Sequence, residues 1–395
     1  MHILVRNPGS SSIKFSMFAH EGEKFRSLYE GELGGIGTSQ PNLHFRDASG
    51  HDLRSPSDPV NAASMEQAID LVERTVTSAT LPSIDGIGYR VVHPGPHLHG
   101  HQAVTSEVLT KLREAALFAP LHNPKDVQMI EEMQRRLPSV PHCVCFDTVF
   151  HDIMPAEATT YALPQQVRDA GVRRYGFHGL SCESVVTSMR DAGTLPRRLI
   201  IAHLGSGCSI TACIDGKSVD NTMGLTPTGG VVMGTRPGDL DPGILLYLIR
   251  QPNATADSID AMMNRDSGLR ALGGVNDMRE LRRRALAGDA QASLAIRIFC
   301  RSVVKAIAGF IVLYRADSIV FTGGIGEHDA ATRAEIAEPL AHFGLHLDLA
   351  ANHRASETAQ LITAVESPVT AYVVPAEEDL MIARHVAEMC HSSLI

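Results

Sequence analysis

The 395-residue chain carries 44 acidic residues against 35 Lys and Arg, a formal net charge of −9, with 44% hydrophobic and 20% charged residues. That deficit of positive charge argues against a partner held through nucleic-acid phosphates, and the balance is that of a soluble globular protein long enough for two cores. Seven scattered cysteines with no CxxC pair give neither a disulfide framework nor a zinc site and suit a reducing cytoplasm, and no apolar run is long enough to span a membrane.

Ile3 to Val5 is a short apolar run stopped by Asn7, Pro8 and Gly9, after which Ile13, Phe15 and Met17 alternate with polar residues at the period of a strand. The small-residue turn from Asn7 to Ser12 offers hydroxyls and N–H groups to a phosphate, with Lys14 behind it. A hairpin turn explains it equally well, and no P-loop pattern occurs. Ser64 and Gln67 form a capping box for a helix whose apolar stripe is Met65, Ala68, Ile69, Val72 and Val76.

Ile87 to His93 reads as a buried strand with Arg90 in its midst, and a charge there requires a partner or an anion. His93, His97, His99 and His101 then fall in a Pro- and Gly-rich segment. They offer imidazoles to a transition metal, but carboxylates to orient the rings are missing nearby, and an ordinary loop is the better reading. Ser106 and Asn123 are expected to cap two helices, the second with Pro124 in its first position and His122 just before it, where a helix N-terminus favours anions. Val140 to Phe146 reads as a strand ending at Asp147, which is placed either for metal and phosphate chemistry or as a helix cap.

Near Leu199 the opening pattern restarts. Leu199 to Ala202 is an apolar strand, His203 to Gly207 a small-residue turn, Ser209 to Ile214 an alternating strand, and Asp215-Gly216 a hairpin signal. Two such units, one opening each half, imply a duplicated α/β architecture with a cleft between the halves. Asn221 to Gly243 is too polar and too rich in Gly and Pro to be core, yet it carries Arg236 between Gly234 and Pro237, which makes this arginine the first candidate catalytic residue. Apolar positions nearly surround Ala290 to Tyr314, the pattern of a central buried helix. Ser318 to Glu327 is a strand running into glycines and a helix, where backbone can approach a nucleotide. After the strand Tyr372 to Val374, Glu377, Glu378 and Asp379 stand in the first turn of a helix. There they either complement the helix dipole or serve, through water, the magnesium of a nucleotide.

Taken together, NPGSSSIKF from Asn7, YRVVH from Tyr89, APLHNP from Ala119, CFDTVFH from Cys145 and YGFHGLS from Tyr175 resemble the acetate kinase family. So do AHLGSGCSI from Ala202, MGLTP from Met223, MGTRPGDLDPG from Met233, NDMR from Asn276, FTGGIGE from Phe321 and EEDLMIAR from Glu377. The segments run in order across nearly the whole chain. The family lies within the group of acetate and sugar kinases, heat-shock ATPases and actin. The resemblance implies two domains of a duplicated βββαβαβα, actin-like ATPase fold with an interdomain cleft. It also implies ATP and ADP as substrates with Mg²⁺, or Mn²⁺ in its place, reversible phosphoryl transfer to acetate, and a homodimer. We place the first domain at 1–150 and the nucleotide-binding domain at 151–379, with a helix at 380–395 packing back on the first.

Carried over at matching positions, Arg90 and Arg236 would hold the carboxylate and the transferring phosphoryl group, His178 would stabilise that group and His122 would assist. Asn7 and Glu378 would serve the metal, with Asp147 beside them. His203, Leu204, Gly205, Ser206 and Gly207, then Asp277, Met278 and Arg279, then Gly324, Ile325, Gly326, Glu327 and His328 would line the nucleotide, with Lys14 near its phosphates. Val92, Leu121, Phe177 and Pro227 match the family's small apolar acyl pocket. Pro8, Tyr89, Ser206, His328 and Glu377 depart from the usual pattern, as do Pro94 and Pro96. Ser206 in place of Asn is a shorter side chain and leaves one phosphate contact to water.

A simple carboxylic acid is already ionised at neutral pH, so its attack on a phosphoryl group requires no general base, and the obstacle is repulsion between two anions. Positive groups and alignment therefore carry the reaction, and Asp147 is better suited to orient metal or water than to remove a proton. Two other readings compete: a kinase for propionate or another short carboxylate, and a non-kinase ATPase of the actin and heat-shock type. The assembly of Arg90, His178 and Arg236 around an acyl pocket speaks against the last.

Overall fold

The computed structural model describes residues 1–8, 12–55, 58–78, 81–119, 123–354 and 358–392. Most of the turn after Asn7, together with Leu121 and His122, lies outside the described residues. The chain divides into two compact units, Met1–Val149 with Glu377–Ile395, and Phe150–Ala376.

The first unit is built on a mixed sheet. Strands β1 (His2–Pro8), β2 (Ile13–Glu21), β3 (Lys24–Gly34) and β4 (Asn42–Asp47) form an antiparallel meander, and β5 (Gly86–Val91) and β7 (His142–Phe146) extend it in parallel from β1. The two-residue β6 (Gln102–Ala103) closes the edge, giving the order β4-β3-β2-β1-β5-β7-β6. The alternation of Ile13, Phe15 and Met17 sends these side chains into one core with Leu4, Tyr29, Ile87 and Phe146. Helices α1 (Met65–Val76) and α3 (Asn123–Arg136) cover it with Ile69, Val72, Ile130 and Met133. Ser64 accepts the amide of Gln67 at the start of α1, but the Gln67 side chain accepts from the amide of Ala63 rather than of Ser64, so the expected capping box is only half formed. Helix α2 (Ser106–Glu114) is capped one residue earlier than expected: Thr105, in extended backbone, accepts the amide of Val108, and Ser106 is the first helical residue. Asn123 likewise opens α3, and its side chain is committed to the carbonyl of His93 at 2.8 Å.

The C-terminal helix Glu378–Ser392 joins this unit and packs on β1 and β5. Two glycines permit the approach. A Cβ on Gly88 would come within 2.4 Å of Ile382, and one on Gly86 within 3.0 Å of Val386. The four histidines of the loop after β5 do not form one cluster among the described residues. His93 is buried, accepts the amide of Gly95 and stacks on Phe118; His101 accepts the amide of Phe146, and burial lowers its pKa to about 3. One core residue is anomalous. Arg6 is fully buried, and none of its guanidinium nitrogens has a hydrogen-bond partner among the described residues.

The second unit repeats the plan. Strands β8 (Arg198–Leu204), β9 (Cys208–Ile214) and β10 (Lys217–Asn221) are antiparallel, while β11 (Ser318–Thr322) and β13 (Thr370–Val373) extend the sheet in parallel. The short β12 (Gln360–Leu361) pairs antiparallel with β13 at the edge, giving β10-β9-β8-β11-β13-β12. The hairpin β9–β10 turns on Asp215 and Gly216, both left-handed at φ 52° and 74°. Both units thus carry the α/β fold of the duplicated βββαβαβα scheme.

The helix Ala290–Tyr314 is not buried all round. Ala292, Ala295, Ile296, Phe299, Val303, Ile307 and Phe310 make one buried stripe, while Leu294, Val312 and Leu313 are exposed. Its opposite face carries Arg297, Arg301 and Lys305, which a count of apolar positions underweighted. No helix among the described residues is long and apolar enough to cross a membrane.

Candidate active site

The predicted residues collect at the carboxyl ends of the central strands in each unit. In the first, Arg90 leaves β5 next to last and Asp147 follows β7 directly. The guanidinium grips Asp147 through two bonds, Nε to Oδ1 at 2.8 Å and Nη2 to Oδ2 at 2.5 Å, and Nη1 donates to Asn7 Oδ1 at 3.1 Å. Glu378, the first residue of the C-terminal helix, lies 3.8 Å from Nε. Burial works against the charge on Arg90, but Asp147 and Glu378 outweigh it and hold its pKa above the ordinary arginine value. Neighbouring Asp379 is tied to Ser16 at 2.7 Å, and burial raises its pKa. Lys14 lines a cleft of about 330 Å³ with Asp379, Glu32 and His44.

One buried acid beside this cluster was not singled out from the sequence. Asp126 on α3 is 3% exposed; burial raises its pKa well above the usual carboxylate range, against the attraction of Arg90 and a hydrogen bond from the Val92 amide. Its Oδ2 and the Oδ1 of Asn123 are buried without a hydrogen-bond partner among the described residues. Asp126 shares the segment HNPKD with His122, so the sequence held a signal for it, a carboxylate one helical turn beyond a candidate anion site.

In the second unit His178 and His203 stack with ring centroids 4.1 Å apart. His178 is left-handed at φ 59°, a conformation costly for a residue with a Cβ, and it precedes the helix Gly179–Asp191. Each imidazole is anchored through Nδ1 to a buried serine hydroxyl, His178 to Ser209 at 2.9 Å and His203 to Ser181 at 2.7 Å. That fixes which ring nitrogen faces outward. A Cβ on Gly207 would sit 3.1 Å from His178 Nε2 and 3.6 Å from Arg236 Nη1, so both side-chain tips converge over this glycine. Arg236 is steadied by the carbonyl of Pro227 at 3.1 Å. The loop from Gly205 to Gly207 is braced by the Gly205 amide on the Gly207 carbonyl and by the Gly234 amide on the Ser206 carbonyl. Phe177 is buried, with its carbonyl accepting from His151 and Asn221, while Val92 in the first unit is half-buried.

The nucleotide candidates divide by environment. Gly324 has open space where a side chain would be, whereas a Cβ on Gly323 would meet the Leu204 carbonyl at 2.9 Å. Glu327 is turned into its own helix, accepting the amides of Gly323 and Ala376 at 2.8 and 3.1 Å, while Gly326 is buried and His328 ends that helix. Asp277 caps the helix Met278–Leu286 and pairs with Arg279 at 2.7 Å, which brings its carboxyl down to about 2; Met278 is buried and Arg279 exposed. The serines that orient the two histidines were not foreseen. Small hydroxyl residues in buried strands and helices read as filler until a ring is seen beside them.

A model of the acetokinase family matches residues 2–384. The acetate kinase of Syntrophobacter fumaroxidans is 40% identical, with 98% of this chain and 97% of the relative covered. That of Campylobacter jejuni subsp. doylei is 39% identical over 98% and 99%. Among solved structures, a propionate kinase from Francisella tularensis superimposes with a TM-score of 0.91 at 35% identity, covering 98% of this chain and 99% of the other. The Porphyromonas gingivalis acetate kinase gives 0.87 at 31% identity, with the same coverage.

Proposed function

We infer that this chain, which belongs to the acetokinase family, is an acetate kinase that moves the γ-phosphoryl group of ATP to acetate, and reversibly from acetyl phosphate to ADP. The observation that carries the mechanism is the convergence of His178 Nε2 and Arg236 Nη1 over the bare backbone of Gly207. Two orientable hydrogen-bond donors over a surface without a side chain suit the equatorial oxygens of a phosphoryl group in flight.

An acetate oxygen forms the new P–O bond as the bond from the γ-phosphorus to the ADP oxygen breaks, and the electron pair leaves with ADP. No proton is transferred between the two carboxylate and phosphate anions. We assign Arg236 and His178 to the phosphoryl oxygens, Arg90 to the acceptor carboxylate with Asp147 fixing its guanidinium, and His122 to an assisting hydrogen bond. We assign Val92, Leu121, Phe177 and Pro227 to the methyl group. His203 to Gly207, Asp277 to Arg279 and Gly324 to His328 hold the nucleotide, with Lys14 toward its phosphates. Asn7 through Oδ1, with the carboxylates of Asp147 and Glu378, offers oxygen ligands, the donor set of Mg²⁺ or Mn²⁺ rather than of a soft metal. Asn7 and Glu378 would hold the ion, which when bound neutralises phosphate charge.

We propose that the unit Phe150–Ala376 is the nucleotide-binding domain, ending three residues before the expected 379, and that Met1–Val149 with Glu377–Ile395 forms the other. We place the enzyme in the cytoplasm, where its seven cysteines stay reduced. A homodimer is supported by the helix Pro242–Ile249, on which Ile244, Leu245, Leu246, Tyr247 and Ile249 are all exposed. Propionate is the second acceptor, since one methylene in an apolar pocket is worth only about 1–3 kcal/mol.

The test is ADP release from Mg-ATP by the purified protein with acetate, propionate or butyrate, beside Arg236→Ala. Acetate-dependent turnover that falls by about 100-fold or more in the variant is expected. Turnover indifferent to any carboxylate would refute the assignment.

A further inference from the structure

A cavity of about 1060 Å³ that the proposed function leaves unused is a groove in the second unit between the helices Met278–Leu286, Ala290–Tyr314 and Ala330–Leu340. None of the residues assigned to the nucleotide lines it. Arg297, Arg301 and Lys305 stand four residues apart along one side of the long helix, so the three cations share a face and span about 12 Å. Among the described residues none of the three has a hydrogen-bond or ion-pair partner.

The contrast with the other basic wall is sharp. Arg282 is bonded to Asp329, Thr332 and Glu335, and Arg284 nearby to Asp289. Acidic residues outnumber basic ones in this chain, so three clustered, unpaired cations depart from its overall balance. The bland reading is a solvated helix face. Against it, Leu286, Leu294 and Pro339 line the same groove, with Leu286 91% and Leu294 47% exposed. Solvated basic faces gain nothing from standing above exposed leucines, whereas a ligand with an anionic end and an apolar body uses both. The volume is that of a site for a nucleotide-sized molecule, and arginine pairs favour the planar forks of phosphate oxygens.

We propose that this groove is a second binding site, separate from the catalytic one, for a phosphorylated small molecule with an aromatic or apolar body. The phosphate lies against Arg297, Arg301 and Lys305, and the body against Leu286, Leu294 and Pro339.

Pyridoxal 5′-phosphate, an aromatic phosphate with an aldehyde, is the probe. A lysine amine in the site attacks the aldehyde carbon, water leaves with the carbonyl oxygen, and borohydride adds hydride to the C=N carbon while solvent protonates the nitrogen. The chain has six lysines, so peptide mapping locates the label without ambiguity. Lys305 should label about tenfold faster than the other five, inorganic tripolyphosphate should compete, and Arg297→Glu with Arg301→Glu should remove about tenfold of the advantage. Both arginines are exposed, and the unmodified protein's labelling pattern stands by itself as a test. Labelling spread evenly over the lysines, or unchanged in the double variant, would overturn the proposal. So would protection of Lys305 that grows with protein concentration, because the groove would then be covered by a second copy.

Discussion

Replacing Arg6 by methionine should stabilise the protein. The residue sits on β1 in register with Tyr89 of β5, fully buried, with all three guanidinium nitrogens unpartnered among the described residues. Burial pulls its pKa from 12.5 to about 10, with Tyr89, Glu73 and Tyr29 only partly opposing the fall. A drop of about 2.5 pKa at about 1.36 kcal/mol each corresponds to about 3 kcal/mol of penalty. The sign follows from linkage. The folded value lies below the unfolded one, so the unfolded chain holds the proton more tightly. The penalty is therefore complete at any pH below about 10 and fades only as pH rises through the interval to 12.5. Methionine matches the length of the chain and removes the charge, and replacing buried ions by apolar residues is known to gain about 1–4 kcal/mol. Urea unfolding at pH 7 should show the gain in the transition of the first unit, and its melting temperature should rise by about 6–12 °C. Unchanged or lowered stability would mean that the guanidinium is satisfied after all, by water or an anion, and the reasoning from its burial would fail.

Ser209→Ala should leave His178 without its anchor at Nδ1 and lower kcat by about 10–100-fold with KM nearly unchanged; an equal rise in KM would count against a positioning role. Asp126→Asn should be more stable than the parent at neutral pH, because burial raises the folded pKa of this acid. The gain should shrink as pH falls toward the ordinary carboxylate value and vanish below about pH 4, which a series of melts from pH 3.5 to about 8 would follow. Leu246→Asp in the exposed apolar helix should convert the proposed dimer to a monomer in analytical ultracentrifugation, and an unchanged sedimentation coefficient would remove that helix from the proposed interface.

The strands that carry the site were legible because their signals are local. Ile13, Phe15 and Met17 alternate, Leu199 to Ala202 is uniformly apolar, and Asp215-Gly216 can only turn one way. Arg90 and Arg236 stood out because a charge inside a strand, or inside a glycine-rich loop, conflicts with its surroundings. The partners of these residues were harder to read. Ser181 and Ser209 matter only through rings that the fold brings beside them, and Asp126 only through an arginine on another element. The long helix was misjudged for a different reason: counting apolar positions around it hid three cations on one face, and these became the most informative feature of its surface. The shift of the α2 cap from Ser106 to Thr105 reflects two adjacent hydroxyl residues with nearly equal claims, settled by which backbone is extended.

The groove that Gly86 and Gly88 open on β5 has a further consequence for how the molecule is made. Its occupant, the helix Glu378–Ser392, is separated from the strand by the whole of Phe150–Ala376. During synthesis at about 5–20 residues per second, the first sheet waits many seconds with a bare apolar trough where Ile382 and Val386 will later sit. The second unit, continuous in sequence, has no such wait. The order of birth is therefore the reverse of the order of completion, and the nascent first unit is the natural client for a chaperone that shields exposed strands.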